Sequence, residues 1–330
     1  MDLPRPTQHW GCFDRAIAEA EGWRRWHVEA ALGNGRLRPV RRGVYIDREL
    51  WEPLDPRTRH LTVLAADQLA LGPSWYAARR SAALVYDLPL IGKPPRESQL
   101  VAPRESFRGE SHSRHRRISA LSRRDLGLAS GLRVVSPARA VTDIARAEAF
   151  RNALVVADAA LGRGLPRELL EQCLTEMTRW PGVAAARQVV SLADGRAESA
   201  LESLSRAGFY ERGLPAPELQ VEVWQGGRLL GRVDKLWEEF NTVGEDDGLE
   251  KFGSTAAERQ ESFAATKTRQ DWLEGAGLEV VRWGWDDAWR SPAELDARLQ
   301  RAFARGVGNQ LAPGVRFVHT TVADRLARAG

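Results

Sequence analysis

The chain has 330 residues, 43% of them hydrophobic and 28% charged, with no apolar run near the ~20 residues that a membrane span requires. Its two cysteines, Cys12 and Cys173, lie far apart without a CxxC pair, which argues against a disulfide framework or a zinc cluster and suits a cytoplasmic protein. The net charge of +4 hides an asymmetry: residues 1–145 hold 24 Lys/Arg against 16 Asp/Glu, and the rest hold 24 against 28, so the basic half points to a polyanion.

The opening MDLPRPTQHWG has no basic segment followed by an apolar core, so no signal peptide is expected. Residues 9–22 predict a short helix with Asp14 as N-cap, and residues 23–33 a second one carrying Arg24 and Arg25. GRLRPVRRGVYID follows at 35–47, with Arg36, Arg38, Arg41 and Arg42 among alternating apolar residues and Gly43 placed for a tight turn. Helix, helix and basic hairpin together predict a winged helix over 1–52, one helix entering a major groove and the hairpin meeting phosphates of double-stranded DNA.

Residues 53–190 predict a mixed α/β middle domain. Helices are expected over 57–71 and 74–88 and a strand over 98–104. GLRVVSPARAVTDIAR should be a strand entering a helix, with Ser136 as N-cap and Pro137 at its first position. The segment 104–124 is the most basic of the chain, with seven Arg, including Arg114, Arg116 and Arg117, and only two Glu. His112 and His115 lie within it without a third ligand, so phosphate contact or plain exposure outweighs metal binding.

A third domain is expected over 191–305, with a tail at 306–330. The pattern is a helix through DGRAESALESLSRAGF, three strands (PELQVEVW, RLLGRVDKLW and TVGEDD, the last two joined by the turn EEFN), a polar helix and a final strand LEVVRWGW. The C-terminal twenty residues are compatible with a peripheral strand and helix. Asp234 and Glu245 are 11 apart across the EEFN turn, which sets them close to cross-strand register. Alternation puts Glu245 and Asp247 on one face and turns Asp246 and Lys235 to the other. Facing carboxylates repel unless a cation neutralises them, and Mg²⁺ or Mn²⁺ suits such a set of hard oxygen donors. Glu202 on the preceding helix is placed to add a further carboxylate. Two other readings stay open: EDDG as a plain acidic turn, and structural ion pairs to Arg232 or Lys267.

ESALES, GRVD, GEDDG and LEVVRW in this order resemble the PD-(D/E)XK nuclease fold, in its Vsr-like or DUF559 branch. WRRWHVEAALGNGRLRPVRRGVYID resembles the winged-helix segment of AbiEi-type antitoxins, and SPARAVTD the region joining the two in actinobacterial proteins related to type IV toxin–antitoxin systems. The resemblance spans residues 10 to about 290 and implies an α/β multidomain protein. It also implies a catalytic set of Glu202, Asp234, Glu245 and Asp247, with Asp234 and Glu245 as metal ligands. Asp247 stands where the nuclease motif has lysine, and Lys251 and Lys267 are the nearest substitutes. Relatives carry a bulky residue at 246 and often lysine at 249, where this chain has Asp246 and Leu249. The expected function is a metal-dependent endonuclease, acting in phage defence or a toxin–antitoxin system. The alternative is an antitoxin-like repressor with a cognate toxin as partner and an inactive nuclease fold.

Overall fold

The computed structural model describes residues 3–4, 9–103, 116–247 and 256–329. Its mixed α/β chain divides into two compact units, residues 1–148 with 167–188, and residues 149–166 with 189–330.

In the first unit, β1 (Phe13–Asp14), α1 (Arg15–Ala20), α2 (Arg25–Gly33), β2 (Leu37–Arg41) and β3 (Val44–Asp47) form two helices and an antiparallel sheet of order β1-β3-β2. Phe13, Ala18, Trp23, Ala31 and Leu37 close its core. The expected Asp14 cap is present, its carboxylate accepting from Ile17 N. The first helix is shorter than its apolar spacing suggests, because residues 9–11 turn and Phe13 is drawn into pairing with Tyr45. Next come α3 (Arg48–Trp51), α4 (Pro56–Leu71), β4 (Tyr76–Ala77), α5 (Arg79–Val85), β5 (Leu100–Pro103), β6 (Arg116–Ser119), β7 (Leu126–Ala129), β8 (Leu132–Val135) and α6 (Pro137–Ala145). A mixed sheet of order β6-β5-β4-β8-β7 packs Leu100, Val101, Leu132 and Val134 against Leu61, Leu64 and Leu84 of the helices. Ser136 caps α6 by accepting from Arg139 N, with Pro137 beginning the helix. The segment expected to be helical over 74–88 opens instead with the short β4, whose Ala77 pairs with both Leu100 and Val134.

The chain visits the second unit with α7 (Phe150–Gly162), returns for α8 (Arg167–Glu176), and α9 (Val183–Leu192) leads back. There α10 (Ala200–Glu211), β9 (Glu218–Gln225), β10 (Arg228–Trp237), β11 (Thr242–Asp246), α11 (Ala256–Gly275) and β12 (Glu279–Trp283) follow. After them come α12 (Trp285–Trp289), α13 (Pro292–Gly306), β13 (Val315–His319) and α14 (Val322–Ala329). The sheet runs β12-β11-β10-β9-β13, antiparallel except for the parallel β11–β12 pair, which α11 connects as a crossover. The stretch after 306 thus adds β13 to the sheet's edge. Helix α10 starts six residues later than the sequence suggests. Asp194 accepts from Arg196 N at 2.9 Å and makes a local turn, so Ser199 becomes the cap, accepting from Glu202 N at 3.1 Å. No described helix is long and apolar enough to cross a membrane.

Candidate active site

The site is built on the β10–β11 pair. The ladder joins Lys235 to Gly244, Leu236 to Val243 and Trp237 to Thr242, and Asp234 and Glu245 are the next residues beyond its end. The turn that sets this register is the expected EEFN, a single 3-10 turn ended by Asn241 in the left-handed region (φ 42°). Asp234 Oδ2 accepts from the Asp246 backbone N–H at 2.8 Å, which locks the two strands at this level. Both carboxylates are withdrawn from solvent, Asp234 at 9% exposure and Glu245 at 1%.

On the opposite face, Lys235 Nζ forms an ion pair with Asp246 Oδ2, both side chains being fully buried. Asp246 Oδ1 also accepts from Ser205 Oγ at 2.6 Å and from Trp283 Nε1 at 2.8 Å. Burial pushes the Asp246 carboxyl above its ordinary pKa, and Lys235 works against that rise. This pair sits beside an aromatic cluster in which Phe209 meets Trp237 and Trp283 edge-on. Gly244 is required there: a Cβ on it would lie 2.5 Å from the Trp283 ring and 2.9 Å from Trp237.

Glu202 comes from the first turn of α10 and is 3% exposed. Its Oε2 accepts from Glu198 N at 3.0 Å and from Gln220 Nε2 at 2.9 Å. Burial raises its pKa; Lys235 lowers it, and the negative charges of Asp234 and Asp246 add to the rise. Of the carboxylates expected from the sequence, Asp234 is thus within electrostatic reach of Glu202. Gln220 itself has φ 54°, a left-handed backbone uncommon outside glycine, at the point of β9 from which its amide donates to Glu202.

The basic partners differ from those expected. Arg232 pairs with Glu198 at 2.7 Å. Lys267 is exposed, and the α11 cation that reaches the carboxylates is Arg269, whose Nη2 donates to Glu245 Oε2 at 2.7 Å. Asp247 is held by the forked guanidinium of Arg282, with Nε to Oδ2 at 2.9 Å and Nη2 to Oδ1. Burial opposes the charge of Arg282, but Asp247, Glu245 and Asp234 together lift its pKa above the ordinary value. Sequence reasoning missed Arg269, Arg282 and Gln220, which reach the site from α11, β12 and β9. Lys251 lies outside the described residues.

Asp234 and Glu245 suit a divalent ion in donor chemistry, both being hard oxygen donors on one strand pair with Glu202 nearby. Among the described residues no group of three or more His, Cys, Asp or Glu is gathered closely enough to hold a metal ion.

The basic residues of the first unit divide into bound and open ones. Arg24, Arg36 and Arg42 are exposed. Arg25 pairs with Glu29 at 2.7 Å within α2. The Arg38 guanidinium lies 4.8 Å from the Trp51 ring centre. Arg41 forms a two-pronged pair with Asp67 of α4, at 2.5 and 2.9 Å, and this hydrogen bonding raises its pKa. Arg114, His112 and His115 lie outside the described residues; Arg116 and Arg117 are in β6, their side chains being outside the description.

No protein-family model matches the chain. Two uncharacterised proteins of Mycobacterium tuberculosis, one in strain CDC 1551 / Oshkosh and one in strain H37Rv, are each 33% identical to it over 192 residues. That alignment covers 58% of this chain and 68% of each relative. The chain therefore belongs to the same family as these mycobacterial proteins.

Proposed function

We propose that this protein is a DNA-binding, metal-dependent endonuclease, its second unit having the PD-(D/E)XK nuclease fold and its N-terminal helices and hairpin acting as a winged helix. The observation that carries this reading is that Asp234 and Glu245 adjoin the end of the β10–β11 ladder, where Asp234 accepts from the Asp246 N–H, with the charge of Asp234 felt by Glu202 of α10. Burying neighbouring acids is costly unless a cation joins them. Asp234 and Glu245 would hold Mg²⁺ or Mn²⁺. When bound, the ion polarises a phosphodiester and lowers the pKa of water. The chain's own residues prepare the site. Asp246 N–H orients the Asp234 carboxylate, and Gln220 orients Glu202. The exposed Arg24, Arg36 and Arg42 offer charges to duplex phosphates. Wild-type protein should relax and cut supercoiled plasmid with Mg²⁺ or Mn²⁺, and Glu245→Gln should not; equal cleavage by both would sink the reading.

A second reading is an AbiEi-like repressor, working with a cognate toxin and carrying an inactive nuclease fold. The observation favouring it is that Glu245, Asp246 and Asp247 each meet a basic side chain, Arg269, Lys235 and Arg282. Operator binding without metal, unaffected by Asp234→Asn, is its signature.

A further inference from the structure

We propose that Arg269 supplies the cationic group of this site, contacting the phosphate to be cleaved beside Glu245. The proposal rests on the nuclease reading above and assigns a role that neither Lys251 nor Lys267 needs to fill.

Three observations converge on this side chain. First, its guanidinium donates to Glu245 Oε2 at 2.7 Å. That contact uses one of five N–H donors, and the Arg269 side chain is 33% exposed while Glu245 is 2% exposed. The arginine therefore bridges the buried acid and solvent, where a substrate arrives. Second, β10 is shaped to receive it. A Cβ on Gly231 would lie 2.9 Å from Arg269 Cδ and 3.1 Å from Cγ, so the stem runs over the strand at a position without a side chain. The glycine of GRVD thus has a physical purpose, three residues before Asp234. Third, α11 is fixed on the same strand one turn later, where the Arg228 guanidinium lies 4.0 Å from the Trp272 ring centre.

The other described cations nearby are committed elsewhere. Lys235 is buried with Asp246 on the far face. Arg282 spends two donors on Asp247, and Arg232 reaches Glu198. Lys267 precedes Arg269 by two residues, and helix positions two apart do not share a face.

A planar guanidinium matches two phosphate oxygens, and its hold strengthens as charge gathers on them. In the hydrolysis, the oxygen of water bonds to phosphorus as one P–O ester bond breaks. One proton of that water ends on the leaving oxygen, and the other stays on the new phosphate monoester until solvent takes it. Arg269 keeps its protons throughout.

The test compares wild type, Arg269→Met, which keeps the stem over Gly231, and Arg269→Lys, which keeps the charge. Single-turnover plasmid cleavage with Mg²⁺ and calorimetric Mn²⁺ titration are run on the same preparations. Cleavage by Arg269→Met should fall by about 10²–10³, as for removal of an oxyanion donor, with partial recovery in Arg269→Lys. Mn²⁺ affinity should hold or rise in Arg269→Met, because a cation competing for Glu245 is gone. If wild type cleaves and Arg269→Met cleaves equally, the proposal is overturned and the nuclease reading stands. If metal binding and cleavage fall together in Arg269→Met, Arg269 only holds Glu245 in place, and the proposal is again overturned. If wild type neither binds metal nor cleaves, the nuclease reading itself fails and takes the proposal with it.

Discussion

Lys235 and Asp246 show how a departure from the expected pattern is absorbed. An aspartate stands in the interior of a strand, where acids are uncommon, and a lysine from the neighbouring strand meets it in the core. Breaking a buried pair from one side leaves an uncompensated charge, at a cost of about 3–5 kcal/mol, whereas replacing both partners by apolar groups is often neutral. Lys235→Met should therefore lower the urea midpoint strongly, and Lys235→Met with Asp246→Leu should recover much of the loss; equal destabilisation by both would show that the pair is not the source. Alternation along β11 correctly separated Glu245, which meets Arg269 of α11, from Asp246, which meets Lys235 and Ser205. The arginines on Glu245 and Asp247 were not legible, because they come from α11 and β12, 24 and 35 residues away, and no local pattern fixes which side chain of a helix reaches a strand.

At the scale of elements, α7 and α10 are tied through Asp158. Its carboxylate accepts from Asp194 N at 2.7 Å and from Arg206 Nη1 at 2.5 Å. Burial raises its pKa to about 6, although Arg206 pulls the other way. An acid with a higher pKa folded than unfolded binds its proton more tightly when folded. Its contribution to stability is greatest below the ordinary value of 3.8, declines as pH rises, and levels off above about 6. Urea unfolding of wild type relative to Asp158→Asn, followed from about pH 4 to 7, should show wild type losing ground across that window; a constant difference would refute the shift. The strands around the site followed from alternation and turn residues, and the crossover helix from its length. The start of α10 did not, since Asp194 could as well have capped a helix as made a turn, and the choice depends on α7 and Arg196.

At the scale of the whole molecule, composition separated a basic half from an acidic one, yet the four segments expected from sequence form two compact units. The pieces that cross the expected boundaries, α7 and β13, carry no boundary signal because a helix or an edge strand looks the same whichever core it joins. The basic half also contains arginines of two kinds. Arg36→Glu with Arg42→Glu should weaken duplex binding and flatten its salt dependence by about one unit of slope for each phosphate no longer neutralised, with thermal stability kept. Arg41→Glu should instead lower the melting temperature, because it sets a second carboxylate against the buried Asp67. Unchanged binding and an unchanged salt slope in the double variant would remove the hairpin from the interface.

The most direct measurement of the central claim is calorimetric titration of Mn²⁺ and Mg²⁺ into the wild-type protein and into Asp234→Asn. A metal-dependent nuclease should show saturable binding in wild type that disappears in the variant, together with plasmid cleavage in the same buffers. Absence of metal binding in wild type, with tight duplex binding intact, would contradict it and leave a DNA-binding regulator on a nuclease-like scaffold.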